Sequence, residues 1–160
     1  MSKPVITCHK DESLSAAAKR LWDHDCGCVV VVDDYGRVTG MLTDRDICMA
    51  TYTQGKAPGE LAVRDAMAKR VCSCHATDSI KQALNRMRRV QVRRLPVVDA
   101  ENFPIGVLSL NTLIRYTKAG HACFESELLD ALAEISQPRG TTLREAPAAP
   151  PSPWQAAMLL

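Results

Sequence analysis

Aromatic side chains are scarce in this chain, with two Trp, three Tyr and two Phe among 160 residues. Binding of single-stranded nucleic acid relies on aromatic platforms for base stacking, so that class is disfavoured. No apolar run approaches the roughly 20 residues of a membrane span. Met1-Ser2-Lys3-Pro4 lacks the apolar stretch of a secretory signal, and a cytoplasmic location is expected. An excess of one charge sign is missing too. Lys and Arg total 20 against 18 Asp and Glu, and a net charge of +2 implies neither nucleic acid nor a membrane surface. A glycine-rich phosphate loop, H-E-x-x-H and G-x-S-x-G are all absent, and no enzymatic activity is expected. The seven cysteines are an odd number in a chain expected to stay reduced, which favours free thiols over a disulfide framework.

What the chain does have is a repeat. A shift of 66 residues without a gap lays Cys8-His9 on Cys74-His75 and Val31-Val32-Asp33 on Val97-Val98-Asp99. It also lays Leu14, Ala17, Ala18 and Leu21 on Ile80, Ala83, Leu84 and Met87, and Gly40-Met41-Leu42-Thr43 on Gly106-Val107-Leu108-Ser109. Two copies of one unit therefore fill most of the chain. The copies differ at one chemically loaded place: Thr43-Asp44-Arg45-Asp46 carries a carboxylate three residues after its hydroxyl, whereas Ser109-Leu110-Asn111-Thr112 carries none.

Each unit has the pattern strand, helix, strand, strand, helix. A short strand (Val5 to Cys8, Val71 to Cys74) leads to capping residues at Asp11 to Ser13 or Asp78-Ser79, then to apolar residues at i, i+3, i+4 and i+7. A β-branched run follows, Cys28 to Val32 or Leu95 to Val98, then turn residues and a second strand reaching Leu42 or Leu108. A helix beginning at Thr43 or Ser109 closes the unit. A three-stranded sheet with both helices on one face leaves its other face bare, so the two units are expected to pack together in one α/β fold about a pseudo-two-fold axis. The expected boundaries are 3–57 for the first unit and 58–118 for a linker helix, running from Pro58 through Ala66-Met67, plus the second unit. A C-terminal helix at 119–136, with Leu128, Leu129, Leu132 and Ile135 on its apolar face, precedes a disordered Pro/Ala-rich tail at 137–160.

This unit order, with its Gly-x-x-Thr/Ser-x-x-Asp ending, closely resembles the CBS domain, and the tandem pair resembles a Bateman module. The resemblance covers about residues 3 to 118. It is carried by Val5-Ile6-Thr7, Gly40-Met41-Leu42-Thr43-Asp44-Arg45-Asp46-Ile47, Val63-Arg64-Asp65-Ala66-Met67 and Gln91-Val92-Arg93-Arg94-Leu95-Pro96-Val97-Val98-Asp99. Two positions depart from the pattern: Val30 stands where the second unit has Pro96, and Thr112 where an acid is called for. The resemblance implies a non-catalytic regulatory module that binds AMP, ADP, ATP or another adenosyl ligand such as NAD or S-adenosylmethionine between the units. It also implies a symmetric homodimer formed through the helix faces into a flat disk, and an effector protein as the recipient of the signal.

The residues suit that chemistry. A ribose presents two vicinal hydroxyls, which the two oxygens of the Asp46 carboxylate can accept, and Thr43 offers a hydroxyl at a helix N-terminus that favours ligand negative charge. By the resemblance, Ile6 and Thr7 contact the base and Arg93 and Arg94 the phosphate, with Arg45 in the same binding group. Ser73, Ser109 and Thr112 form a weaker second site. Thr-x-x-Asp is equally a capping box that ties up free amides at a helix start, and Ser109 satisfies that reading without an acid. Lys81, Arg86, Arg88, Arg89, Arg93 and Arg94 form a basic run with no acid among them; on a helix such a run is a solvated face, and a nucleic-acid role would need a larger patch and a recognition helix. Cys8-His9, Cys26-Gly27-Cys28 and Cys72-Ser73-Cys74-His75 suggest soft metal ligands or redox-sensitive thiols. C-x-C spacing is not that of a zinc knuckle, however, and buried cysteine is a common core residue, so no metal is expected. The alternatives to a ligand-binding module are an interaction scaffold with an empty cleft and a thiol-based metal or redox sensor.

Overall fold

The computed structural model describes Met1, residues 4–118 and residues 125–137. The expected tail from 138 onward and the segment 119–124 lie outside the described residues.

The first repeat comprises β1 (Thr7–His9), α1 (Leu14–Asp23), β2 (Cys28–Val32), β3 (Val38–Thr43) and α2 (Asp44–Gln54). A 3-10 turn at Pro58–Glu60 and a short α3 (Val63–Ala66) lead to the second, with β4 (Cys74–His75), α4 (Ile80–Val90), β5 (Arg94–Val98), β6 (Pro104–Ser109) and α5 (Leu110–Lys118); α6 (Glu125–Ile135) follows. Each repeat forms a three-stranded sheet, ordered β1-β2-β3 and β4-β5-β6, with the first pair parallel and the second antiparallel. Even the irregularity repeats, because the register shifts between Val31 and Val32 and again between Val97 and Val98.

The helices start where the sequence supplies acceptors for free amides. Ser13 Oγ accepts from Ala16 N at 3.2 Å, and Ser79 and Gln82 exchange bonds in a full capping box. A second device appears in both copies. Arg20 on α1 pairs with Glu12, which accepts from His9 N, and Arg86 on α4 pairs with Asp78, which accepts from His75 N. These pairs fall on one another under the 66-residue shift and staple each helix to the end of the preceding strand.

Burial explains the unbroken β-branched runs. Successive strand residues face opposite sides, so Val29 and Val31 join Leu14, Ala17, Leu21, Leu42 and Ile47 under the helices while Val30 faces the other way. There Val30, Val38 and Val98 form a third core with Val5, Met41, Val71 and Val107, joining the two sheets. Asn102 fastens the joint, donating from Nδ2 to the Val38 carbonyl at 3.0 Å and accepting from Val38 N at 3.0 Å. The quasi-symmetry extends to the arms: Met67 packs over Gly40 of the first sheet, and its counterpart Met1 packs over Gly106 of the second.

The linker is not the single helix expected. Leu61 is extended because its carbonyl accepts from Leu14 N at 2.8 Å, and Ala62 bridges Ser13. Leu61 and Val63 are buried in the first repeat's core, so this stretch packs on the first repeat. The C-terminal helix spans Glu125–Ile135 and lies on α4 and α5, placing Leu128, Ala131 and Ile135 in the second core.

Candidate functional site

The polar residues singled out by the repeat gather where the two sheets meet. Thr43 ends β3 opposite Cys28, the first residue of β2, and caps α2. Asp46 completes the capping box: Thr43 N and Thr43 Oγ1 both donate to Asp46 Oδ2, at 2.9 and 2.7 Å, and Asp46 N donates to Thr43 Oγ1 at 3.2 Å. Both carboxylate bonds fall on one oxygen. The capping reading of Thr-x-x-Asp is therefore realised, and any ligand must share this carboxylate with the cap.

In the second repeat, Ser109 occupies the same place and pairs with Arg94 at the start of β5. Ser109 Oγ and Thr112 Oγ1 lie 3.0 Å apart, and Thr112 N donates to Ser109 Oγ at 3.1 Å. The box survives as a cap, but it holds no anion.

Arg94 crosses from the second repeat to the first. Its guanidinium lies against Gly27, where a Cβ would sit 2.8 Å from Nη2. Its charge also reaches Cys28: burial pushes the Cys28 thiol up, and Arg94 opposes that shift. Arg94, Gly27-Cys28, Thr43 and Asp46 thus occupy one edge of the junction. Thr7 pairs with Val30, whose amide donates to the Ile6 carbonyl at 3.0 Å, which puts Ile6-Thr7 on the adjoining strand of the same sheet. Thr7 is then about 10 Å from β3, two strand spacings away.

Other candidates are placed differently. Arg45 is exposed on the first turn of α2 beside Asp46, and Arg93 is exposed, its carbonyl accepting from Leu110 N at 3.0 Å. Ser73 precedes β4, and its carbonyl accepts from Arg86 Nη1 at 3.0 Å. Arg86 is therefore structural, as is Arg88, whose Nε donates to Glu134 Oε2 at 2.8 Å. Of the basic run, Lys81, Arg89, Arg93 and Arg94 form no ion pair among the described residues. In the sequence Cys26-Gly27-Cys28 stands out only as a pair of thiols, not as a lining of the ligand edge. The available signal was that Cys28 is the counterpart of Arg94 under the repeat shift.

Two of the buried thiols, Cys8 and Cys74, are held neutral by the fold. Burial pushes Cys8 up to about 11, with Glu12 adding to the rise, and raises Cys74 in the same way, so both stay protonated near neutrality. Among the described residues one group, His9, Asp11 and Asp34, brings metal-type ligand atoms within 4.8 Å of one another. It lies at the end of β2 away from Thr43, and Lys10 Nζ already stands 3.7 Å from Asp34.

Two sheets joined back to back, with a polar edge assembled from both, define a paired-repeat module. The CBS domain model matches residues 1–52 and 63–119, and the chain belongs to that family. It is 34% identical over 113 residues to the CBS domain-containing protein YhcV of Bacillus subtilis, covering 71% of this chain and 79% of that protein. With the uncharacterised protein MK0525 of Methanopyrus kandleri it shares 29% identity over 126 residues, 79% of this chain but only 64% of that relative's length. Among solved structures, the CBS domain pair of protein MJ0100, in complex with 5′-methylthioadenosine and S-adenosyl-L-methionine, matches with a TM-score of 0.67 and 26% identity. That match covers 74% of this chain and 92% of the other. No helix among the described residues is long and apolar enough to cross a membrane.

Proposed function

We propose that this chain binds an adenosine-containing ligand (AMP, ADP, ATP, NAD or S-adenosylmethionine) at the Arg94–Thr43–Asp46 edge and passes its occupancy to an effector protein. Asp46 and Thr43 hold the ribose, Ile6 and Thr7 border the base, and Arg94 receives the phosphate, with Arg45 and Arg93 adding charge from the exposed flank. The observation that carries the reading is the Arg94 guanidinium lying against Gly27 in the other repeat. A ligand charge bound there touches both repeats, so its binding energy favours one arrangement of the pair over another. The adenosyl ligands of the MJ0100 pair support the chemical class. Ser73, Ser109 and Thr112 form a second, weaker site without a carboxylate.

Calorimetry with adenosine, AMP, ATP, NAD and S-adenosylmethionine tests the proposal. Arg93→Ala/Arg94→Ala should weaken AMP and ATP by about 1.5–3 kcal/mol and leave adenosine nearly unchanged, because a charge-assisted bond to phosphate is lost. The Arg94→Ala single variant should carry most of that loss. Equal losses for adenosine and AMP would remove the phosphate role. The absence of binding heat with every ligand would favour a constitutive scaffold.

A further inference from the structure

The internal repeat provides a control for what each helix pair needs. In the second repeat α6 lies on α4 and α5 and places Leu128, Ala131 and Ile135 in one core with Leu84, Met87, Leu110 and Leu113. Arg88 holds Glu134 at the rim through two hydrogen bonds. The shift of 66 residues maps Leu84, Met87, Arg88 and Leu113 onto Ala18, Leu21, Trp22 and Ile47, and among the described residues no helix of the chain covers those four. The first repeat nevertheless has its full set of strands and helices and a buried core. A unit of this kind therefore folds without a third helix on its helix pair, and α6 is an addition to the second unit. The manner of attachment agrees. Among the described residues no backbone hydrogen bond ties α6 to another element, and its ion pair with Arg88 is partly exposed, which adds little. The helix is held by apolar side chains at i, i+3 and i+7, and its 11 residues are too few to stay helical alone in water.

We propose that the α4–α5 face is a docking site for an amphipathic helix of a partner protein and that α6 is its internal, autoinhibitory occupant. The partner's chemistry is written in α6, the segment that the face already accepts. Its helix presents an aliphatic side chain at i, a small one at i+3 and a β-branched one at i+7, where Leu128, Ala131 and Ile135 stand, with a carboxylate at i+6 that meets Arg88 as Glu134 does. Ala131 is fully buried, so the middle position takes nothing larger unless the helix shifts. Because α6 follows both repeats in the chain, its departure breaks no strand pairing and uncovers Leu84, Met87 and Leu113. A tethered helix competes at high local concentration, so a partner gains the face only for the fraction of time that α6 is away. This site lies on the helix side of the second repeat, apart from the proposed nucleotide edge, and its test needs no nucleotide.

Fluorescence anisotropy with a labelled peptide of residues 125–137 and the full chain tests this. Leu128→Asp puts a charge in place of one anchor of α6, and the folded variant should bind the peptide at least about tenfold more tightly than wild type. Adding Arg88→Glu should weaken that binding by about fivefold, and a peptide carrying Glu134→Arg should restore it. Hydrogen exchange on wild type gives a second measurement, which stands even if Leu128→Asp fails to fold. The amides of α6 should exchange at least about tenfold faster than those of Leu84 and Met87 on α4, because α6 leaves without global unfolding. Equal peptide affinity in wild type and Leu128→Asp, no binding by the folded variant, or a charge swap without effect would each overturn the proposal. Exchange of α6 at the same rate as α4 would make it an integral part of the fold and overturn it too. A rise in mass of Leu128→Asp in sedimentation velocity that the peptide does not reverse would mean that a second copy takes the face, with the same consequence.

Discussion

Asp46→Ala separates the two roles assigned to one carboxylate. In the free protein, Asp46 Oδ2 accepts from Thr43 N and Thr43 Oγ1. Removing it orphans one amide at the helix start, while Thr43 Oγ1 still accepts from the amide of residue 46. Half of the capping box is lost, which costs about 1 kcal/mol of stability, read as a lower urea midpoint at unchanged slope. If the carboxylate also holds the ribose, affinity for AMP falls by about 1.5–3 kcal/mol, a factor of roughly 10 to 150. Thr112→Ala is the matched control. It removes a hydroxyl 3.0 Å from Ser109 Oγ, but Ser109 keeps its bond to the amide of residue 112, so stability should change by less than about 0.5 kcal/mol and affinity hardly at all. Loss of stability with unchanged affinity in Asp46→Ala would reduce Asp46 to a cap. Equal affinity losses in both variants would show that the second repeat's site is used and refute the asymmetry.

Other outcomes follow from packing and titration. Leu128→Ala should cost about 2–4 kcal/mol in chemical denaturation, because this residue sits in the second core; a cost near zero would mean that α6 does not pack there. Asn102→Gly relieves a positive φ of 70° but removes the side-chain bond to Val38, so a net loss of about 1 kcal/mol is expected, and a stabilised variant would show that the inter-repeat bond contributes little. Burial favours the neutral Cys8 thiol, raising it from 9.0 to about 11, so its contribution is full below pH 9 and is lost as pH rises towards 11. Cys8→Ala should flatten that alkaline limb of the stability curve, and an unchanged limb would contradict the assignment. Although burial pushes Glu12 upward, its hydrogen bonds from Arg20 and His9 hold it below 4.5; its contribution is present above that pH and fades as the pH falls below it. Glu12→Gln should weaken the acid dependence of the urea midpoint, and an equally steep one would assign the acid sensitivity elsewhere.

Local pattern carried far into this molecule. Ser13 and Ser79 before apolar i, i+3, i+4 spacings mark helix starts that form where expected, and the β-branched run from Cys28 to Val32 forms the strand expected of it, buried at Cys28, Val29, Val30 and Val31. The linker was less legible. Val63–Ala66 does form a helix, yet the Leu61 carbonyl before it is claimed by Leu14, far away in sequence, and Leu61 is extended, so no single helix runs from Pro58 to Met67. The basic run also looked uniform in sequence, although Arg86 and Arg88 are spoken for by Asp78 and Glu134, which pattern alone does not connect to them.

By itself the sequence determined the repeat, the β-α-β-β-α order of each unit and the Thr43/Asp46 contrast with Ser109/Thr112, because these depend on residue identity and on spacings of a few residues. Tertiary structure decided that Arg94 reaches Gly27, that Asn102 ties the sheets at Val38, and that α6 covers one helix face and leaves the other open. Those contacts join residues far apart along the chain. Their geometry is set by how two sheets and a late helix bury apolar surface together, and no local pattern encodes that.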